Sequence, residues 1–258
     1  MDILKVQNPF NAPVYYMEVV KSTMDVSRRL AFDGEPHGTV IAANFQEAGR
    51  GRVRGRSWEM KPSVNLSFTL LLRFACIEEI PAALTLRTGL AVSLAIEDFS
   101  PSLKGSVLVK WPNDILIYSK KTAGILCEAD GGNVHVGIGV NFLQKEFPAH
   151  LQGKATSIAL AAVGNFSQDD RFVLLEKILL RLHGGLAQEQ SRSAWKDCLE
   201  RRLYKKGEQI IFVDGAAGSG KEVKGCLLGI GGGGELLIVP DGEIAARSFV
   251  TGELKCFY

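Results

Sequence analysis

The sequence predicts an α+β protein, with a mixed β-sheet flanked by helices and a small β-barrel at the C-terminal end. From Ser106 to Phe142, short strand patterns follow one another through tight turns, which is a β-meander and excludes a doubly wound parallel sheet. Two capping boxes begin helical patterns elsewhere in the chain. After residue 205, five short strand patterns separated by glycine turns predict the barrel.

The first part of the chain is predicted to form strands and helices in turn. Ser22 begins a helix, with Asp25 reaching back to it as the second member of a capping box, and Gly34 ends that helix. Pro81 fits the first turn of a long apolar helix that reaches Phe99. The strands predicted around these helices are 14–20, 39–45 and 64–72.

The second part of the chain carries the meander, two helices and the barrel. Ser167 and Asp170 belong to the second capping box, and the helix that follows them has an apolar face. The domain boundary is placed so that residues 1–204 form the larger domain and residues 205–258 the barrel. Further predicted elements are strands 106–109, 115–118, 122–129 and 134–142, a helix at 192–204, and barrel strands 209–213, 223–230, 236–239, 244–250 and 254–257.

The composition is that of an ordinary globular protein, with 258 residues, of which 46% are hydrophobic and 22% charged. The net charge of +2 is small for a protein that acts on nucleic acid. No apolar run reaches the length of a membrane helix, and the N-terminal residues lack the pattern of a signal peptide. The five cysteines are scattered and lack metal-site spacing, so we expect reduced thiols and a cytoplasmic protein.

Residues 49–58, which we call the arginine loop, have the strongest chemical character in the chain. Glycine disfavours a helix in this segment, and a strand would place all of its arginines on one face. A loop therefore presents guanidinium groups, which bind carboxylate and phosphate oxygens, so the segment is predicted to bind an anion. Its arginines are Arg50, Arg52, Arg54 and Arg56, and Trp58 ends the run.

A second polar segment, residues 110–114, ends a predicted strand. Considered alone, this segment fits a structural role as well as a functional one. In the structural role it is a strand end that turns at its proline, with its tryptophan in the core. Asn113 and Asp114 nevertheless carry oxygens of the kind that bind hydrated magnesium. Lys121 follows in a turn, where a lone lysine is most often only solvated, and Gly124 then allows a ligand or a backbone to approach closely.

Two glycine-rich segments match nucleotide-binding motifs only in part. Residues 215–221 match the first seven positions of a P-loop, but Glu222 stands where a Ser or Thr should bind magnesium, and a strand follows. Residues 229–234 match GxGxxG between two predicted strands, whereas the dinucleotide-binding fingerprint needs a helix after it. Both segments are therefore predicted to be hairpin connections.

Several motifs together resemble those of the biotin protein ligases, in order and in spacing. They are Ser22-Thr23, Gln46-Glu47-Ala48-Gly49-Arg50-Gly51-Arg52 with Arg56 and Trp58, Lys110-Trp111-Pro112-Asn113-Asp114, Lys121-Thr122-Ala123-Gly124-Ile125-Leu126, and Gly137-Ile138-Gly139-Val140-Asn141. The resemblance runs from Val14 to the terminal barrel. It implies a catalytic fold like that of the class II aminoacyl-tRNA synthetases, followed by an SH3-like barrel.

The resemblance implies an ATP-dependent ligase. In that family, the biotin carboxylate is joined to the α-phosphate of ATP, which gives biotinyl-5′-AMP and pyrophosphate. The biotinyl group then passes to a lysine of a biotin carboxyl carrier domain. Because two anions must meet, charge neutralisation and positioning should supply most of the acceleration. Biotin and ATP are the implied substrates, and Mg²⁺ is implied with the phosphates, without a metal cage in the protein.

The resemblance also implies roles for individual residues. Arg50, Arg52 and Lys121 would be the catalytic residues on the carboxylate and the α-phosphate, Trp58 would stack on adenine, and Asp114 would be a Mg²⁺ ligand. The implied biotin-binding residues are Ser22, Thr23, Gln46, Gly49, Arg50, Arg52, Lys121, Gly124, Leu126, Gly137 and Gly139. The implied ATP-binding residues are Arg52, Arg56, Trp58, Lys110, Asn113, Asp114, Lys121 and Asn141.

The chain departs from the family pattern at two places. The family loop GRGRxGRxW is one residue longer here, at Val53-Arg54, so Arg54 has no counterpart and no assigned role. Some members carry an N-terminal helix-turn-helix, but only 13 residues precede the first predicted strand. We therefore expect a ligase alone, without DNA or membrane binding. The resemblance allows a monomer or a homodimer and leaves the carrier protein unidentified.

Two alternatives remain open from the sequence. A lipoate or octanoate ligase or transferase shares the broad fold, although the arginine loop and residues 110–114 favour biotin. An RNA-binding module could use the arginine loop in another way, although the near-neutral charge and the single short run of arginines argue against it. Biotin-dependent pyrophosphate exchange and salt-sensitive RNA binding would distinguish these functions.

Overall fold

The computed structural model of this chain describes residues 1–53, 55–187, 194–215 and 220–255, and its strands form two separate sheets. The strands of the larger sheet are β1 (Asp2–Ile3), β2 (Val14–Val20), β3 (Val40–Gln46), β4 (Asn65–Arg73), β5 (Val107–Lys110), β6 (Asp114–Ile117), β7 (Lys120–Asp130) and β8 (Asn133–Asn141). The strands of the smaller sheet are β9 (Gln209–Asp214), β10 (Glu222–Ile230), β11 (Leu236–Pro240), β12 (Arg247–Phe249) and β13 (Gly252–Leu254).

The larger sheet is mixed, as predicted. Its strand order is β1-β2-β3-β4-β8-β7-β6-β5, in which β2 and β3 are parallel and the other neighbours are antiparallel. The smaller sheet has the order β12-β11-β10-β9-β13 and is antiparallel throughout. The predicted α+β class and the separate C-terminal β-sheet are therefore confirmed, while the boundary at residue 205 stays a prediction.

Helices cover both faces of the larger sheet. Met24 on α1 (Thr23–Phe32) packs against Gly137 of β8, whereas Gly89 on α2 (Leu84–Phe99) lies near Ile125 of β7. Because Gly137 pairs with Leu126, and neighbouring residues of a strand point to opposite faces, α1 and α2 lie on opposite sides. Helix α4 packs on α2. The helices are α1 (Thr23–Phe32), α2 (Leu84–Phe99), α3 (Ile158–Ala161), α4 (Asp170–Ala187) and α5 (Ala194–Glu200).

Both predicted capping boxes mark the start of a helix. Ser22 is the N-cap of α1, but its side chain makes no capping hydrogen bond. Asp25 was expected to reach back to Ser22, and this is wrong, because its carboxylate is paired with arginine side chains instead. Asp170 does reach back, and it accepts hydrogen bonds from the backbone N–H of Ser167 at 2.7 Å and from its hydroxyl at 2.9 Å.

The start of α2 differs from the prediction. It begins at Leu84 rather than in the turn of Pro81, because Ala83 has a left-handed φ of 58°, which a helix interior does not allow. The stretch Ile77–Phe99 is also long and apolar enough to cross a membrane by length and composition, so the expectation that no segment reaches that length is wrong. In this fold the stretch belongs largely to the core, where Ile96 is fully buried.

Two further predicted elements are shorter in the structure. Helix α5 ends at Glu200, because Tyr204 donates its backbone N–H to Val109 on the edge strand β5 at 2.9 Å, and the chain there can no longer be helical. Residues 192 and 193 of the predicted helix lie outside the described residues. In the barrel, Ile244 lies fully exposed in a turn, so β12 is shorter than predicted.

The glycine-rich motifs follow the topology of the smaller sheet. The GxGxxG segment connects β10 to β11, which pair antiparallel, so the predicted hairpin connection is confirmed. Residues 216–219 of the P-loop-like segment lie outside the described residues. The strands on either side of it, β9 and β10, pair antiparallel, with Glu222 opposite Val213.

His135 on β8 links the stability of the fold to pH. Its Nδ1 lies 2.7 Å from the hydroxyl of Ser27 on α1, and both residues are buried. Burial and the charge of Arg28 lower the pKa of His135 below its ordinary value of 6.5, although Asp130 and Glu128 act in the opposite direction.

We expect the free energy of unfolding to fall as the pH drops below 6.5, because the unfolded chain then binds a proton that buried His135 resists. Chemical denaturation between about pH 5 and about pH 8 measures this dependence. His135→Asn should make it flatter in that window. An equal slope in the variant and in the original protein would contradict the assignment.

Candidate active site

A cavity of about 1070 Å³ opens on the sheet face that α1 covers. Its walls come from the arginine loop, the start of α1, strands β7 and β8, residues 110–114 and the end of the barrel. Among the predicted site residues, Gly49 lies outside the wall, buried at the base of the loop against Trp58. Those that line the cavity are Ser22, Thr23, Gln46, Arg50, Arg52, Arg56, Trp58, Lys110, Asn113, Asp114, Lys121, Gly124, Leu126, Gly137, Gly139 and Asn141.

The floor of the cavity is mostly bare backbone. Across β7 and β8, Gly124 pairs with Gly139, and Leu126 pairs with Gly137. Paired residues of an antiparallel sheet point to the same face, so three of these four positions present no side chain to the cavity. A flat group can therefore approach the floor at van der Waals distance.

The indole ring of Trp58 lies on this floor. A Cβ atom on Gly139 would stand 2.4 Å from Trp58 Cε2, and one on Gly124 would stand 3.3 Å from Trp58 Cζ3. The Nε1 of Trp58 is buried and has no hydrogen-bond partner in the described part of the chain. Trp58 thus packs on the paired glycines, while its stacking on adenine stays a prediction.

One end of the floor is polar and closed. Gln46 Oε1 accepts hydrogen bonds from the backbone N–H of Thr23 at 2.8 Å and from its hydroxyl at 3.0 Å. The hydroxyl of Thr69 donates to Thr23 Oγ1 at 2.8 Å. Thr69 pairs with Gly137 across β4 and β8, so this cluster stands directly beside the floor. Thr69 was missed by sequence reasoning, because a threonine in a strand shows no partner until the register is known.

The other end of the floor is charged. Lys121 Nζ lies 2.6 Å from Asp114 Oδ1. Asp114 pairs with Gly124 across β6 and β7, which places this ion pair beside the floor. Asn113 donates its side-chain amide to the carbonyl of Ile125 at 2.8 Å and so ties the turn at residues 110–114 to β7.

The arginine loop folds back on itself at the mouth of the cavity. Gly51 donates its N–H to the carbonyl of Arg56 at 2.9 Å, and Trp58 donates to the carbonyl of Gly49 at 2.9 Å. The predicted loop, rather than a helix, is therefore confirmed for the described residues of this segment. Backbone hydrogen bonds join the two ends of the loop to each other. Arg54 lies outside the described residues.

Each described arginine of the loop contacts an acceptor elsewhere in the protein. The pairs are Arg50 with Asp25 on α1 at 2.7 Å, Arg52 with the carbonyl of Gly252 at 3.1 Å, and Arg56 with Glu253 at 2.9 Å. The arginine side chains in both carboxylate pairs are two-fifths exposed or more, so each pair adds little stability. An anionic ligand can compete for these guanidinium groups at small energetic expense.

The barrel supplies a part of the cavity that sequence reasoning missed. Glu253 and Gly252 stand 197 and 200 positions from the arginines that they contact. Burial raises the pKa of Glu253, but the hydrogen bond and charge of Arg56, with the charges of Lys110 and Arg52, bring it below its ordinary value. Glu253 is therefore an ionised carboxylate at the mouth of the cavity, and its local sequence carries no sign of that role.

The segment after β8 forms another unpredicted wall. Lys121 donates its N–H to the carbonyl of Lys154 at 2.8 Å, and Thr156 donates to the carbonyl of Lys121 at 2.9 Å. Asn141 donates its side-chain amide to the carbonyl of Thr156 at 3.1 Å. Two predicted residues thus hold this segment in place. The lining residues it contributes are Phe147, His150, Leu151, Lys154 and Ala155.

A metal ion would have few protein ligands in this cavity. No cluster of three or more His, Cys, Asp or Glu side chains suited to a metal occurs within residues 1–53, 55–187, 194–215 and 220–255. Mg²⁺ commonly binds through one or two carboxylates together with phosphate oxygens and water. Asp114 fits this pattern, because its contact with Lys121 leaves its second carboxylate oxygen for an ion that arrives with phosphates.

A closed polar end, a floor of bare backbone and an opposite end that carries Lys121 beside the arginine loop define a site for a ligand with a polar head, an apolar body and an anionic tail. The sequence profile of the biotin/lipoate A/B protein ligase family matches residues 16–142. A biotin--[acetyl-CoA-carboxylase] ligase of Paracoccus denitrificans is 32% identical over 209 residues, which cover 77% of this chain and 82% of that protein. The chain belongs to the biotin/lipoate A/B protein ligase family.

Two further proteins extend this comparison. The bifunctional ligase/repressor BirA of Bacillus spizizenii is 35% identical over 173 residues, which cover 64% of this chain and 51% of that protein. The chain thus spans about half the length of that relative. The structure of the biotin protein ligase from Aquifex aeolicus in complex with biotin and ATP superimposes with a TM-score of 0.77 at 28% identity, covering 94% of this chain and 97% of that one.

Gly139→Ala should displace the Trp58 indole, because the new methyl group would stand 2.4 Å from a rigid aromatic ring. We expect the tryptophan emission to shift to longer wavelength and to become more accessible to acrylamide. Gly184→Ala on α4 is the matched control, since a Cβ there meets nothing within 4 Å. Emission and quenching equal to those of the control would show that Trp58 does not rest on Gly139.

Proposed function

We propose that this protein is an ATP-dependent biotin ligase. It activates biotin as biotinyl-5′-AMP and transfers the biotinyl group to a lysine of a biotin carboxyl carrier domain. The observation that carries the proposal is the order of groups along one floor, from the Thr23 and Gln46 cluster, across the paired glycines, to Lys121 and Asp114. The indole of Trp58 covers these glycines in this structure, so the body of the ligand would take its place there. Biotin has the same order, since its urea edge, ring and alkyl chain, and carboxylate follow one another.

In the first step, a biotin carboxylate oxygen forms a bond to the α-phosphorus of ATP, and the bond from that phosphorus to the bridging oxygen breaks. Pyrophosphate leaves with the electron pair of the broken bond. Lys121 supplies positive charge where the two anions meet, and Asp114 holds its ammonium group in position. Arg52 and Arg56 can leave their acceptors on the barrel and contact the phosphates.

In the second step, the lysine amine of the carrier domain attacks the biotinyl carbonyl, and AMP leaves with the electron pair of the carbonyl–oxygen bond. The amine loses one proton as the amide forms. The acceptor lysine comes from another protein, so no side chain of this chain has to form a covalent intermediate. The chain's own residues bind and orient the adenylate.

Mg²⁺ would bind together with ATP and neutralise phosphate charge, with Asp114 as the carboxylate beside it.

We also propose a cytoplasmic location. It is supported by the free thiols of Cys76, Cys127, Cys198 and Cys226 and by the use of ATP. The lipoate and RNA alternatives are not favoured, because the proteins of Paracoccus denitrificans and Aquifex aeolicus described above carry the names of biotin ligases.

The purified protein should exchange labelled pyrophosphate into ATP only when biotin is added, because the first step is reversible. Lipoate and octanoate are tested in place of biotin under the same conditions. Exchange with lipoate and none with biotin would overturn the proposal in favour of a lipoate ligase. Binding of RNA without any exchange would overturn it in favour of a binding module.

Lys121→Met should lower the exchange rate by about 10²-fold or more, because it removes the charge that faces the anions but keeps the apolar stem. Lys120→Met is the matched control, since Lys120 is exposed and lies outside the cavity wall. Thermal unfolding of both variants checks the fold. A rate close to that of the control would show that Lys121 does not act on the reacting groups.

A further inference from the structure

We propose that Met24 determines which ring systems of an acid substrate fit the closed end of the floor. Its thioether limits the space next to Gly137. Met24 is 4% exposed and lines the cavity. This inference rests on the proposed function, because it names a residue that selects the acid to be activated.

Met24 packs directly on bare backbone. A Cβ atom on Gly137 would stand 2.8 Å from Met24 Sδ and 3.4 Å from its Cγ. Gly137 in turn pairs with Leu126 on β7 and with Thr69 on β4. The methionine side chain therefore fills the volume that any residue larger than glycine at position 137 would take, and it closes the floor at this end.

The closed end has a polar side and an apolar side. The polar side is the hydrogen-bonded group of Thr23, Gln46 and Thr69. The apolar side is formed by Met24, Leu126 and the backbone of Gly137. A ring system with a urea edge and a sulfur-containing edge matches this division, with the urea towards the hydroxyl groups and the sulfur ring towards the thioether.

Met24 is the adjustable part of this end. Thr23 and Gln46 bond each other, and the glycine has no side chain to move. A methionine has three rotatable side-chain bonds and adapts to the shape beside it. Its length rather than any polar contact therefore sets how far a sulfur ring can extend, so shortening it should admit a larger ring.

The test uses Met24→Ala with three acids: biotin, a homologue whose sulfur ring has one more methylene group, and biotin methylated on a ureido nitrogen. Binding is measured by calorimetry, and turnover by pyrophosphate exchange. We expect Met24→Ala to raise the preference for the ring-expanded acid over biotin by about tenfold or more, mainly through KM. The methylated acid should stay rejected, because its added group faces the polar side.

Two variants control for loss of packing. Met24→Leu keeps most of the volume and should keep the original selectivity. Met17→Ala removes the same side chain from β2, where it is half-buried and outside the cavity wall, and should also leave the selectivity unchanged. Thermal unfolding of each variant confirms that it is folded.

An unchanged ratio between the acids in Met24→Ala would overturn the inference, and so would an equal gain for both analogues, which indicates general loosening. The proposed function is decided separately by biotin-dependent exchange in the unmodified protein. If that protein binds biotin but shows no exchange, the ligase proposal fails, and the calorimetric ratios still decide the role of Met24.

Discussion

The pairing of Gly124 with Gly139 across two central strands is the constraint on which the site depends. A side chain on Gly139 would collide with the indole of Trp58, and one on Gly137 would collide with Met24. The floor must therefore stay bare for the loop and α1 to close over it. Every other feature of the cavity is positioned relative to this strip of backbone, with hydroxyl and amide groups at one end and an ion pair at the other.

Charge at the mouth of the cavity is partly balanced within the protein. The described arginines of the loop are held by a carboxylate on α1 and by a carboxylate and a carbonyl of the barrel. A loop rich in like charges would otherwise repel itself and stay open, since its glycines do little to restrain it. Because exposed ion pairs are weak, the same contacts can give way to a more highly charged phosphate group.

The sequence was sufficient for the class of fold, and all but one of the predicted site residues meet in the cavity. This is because strand alternation places Gly124, Leu126, Gly137 and Gly139 on one face once β7 and β8 pair. It could not show which acceptors the arginines would find, since Glu253 joins the site only when the barrel docks. Likewise, the start of α2 depends on a left-handed residue at Ala83, where nothing in the local pattern disfavours a helix.

The contacts between barrel and loop would link the stability of the barrel to ligand binding in the cavity. Glu253 holds Arg56, and the indole N–H of Trp111, inside the ligase motif, donates to the carbonyl of Gly234 in the barrel at 3.0 Å. A ligand that binds only the assembled cavity stabilises whatever the assembly requires, by mass action. The barrel would therefore be thermodynamically linked to any ligand of the cavity, although most of the barrel lies outside the cavity wall. Sequence changes in the barrel could then tune ligand affinity without altering any of the residues that the sequence motifs bring to the cavity.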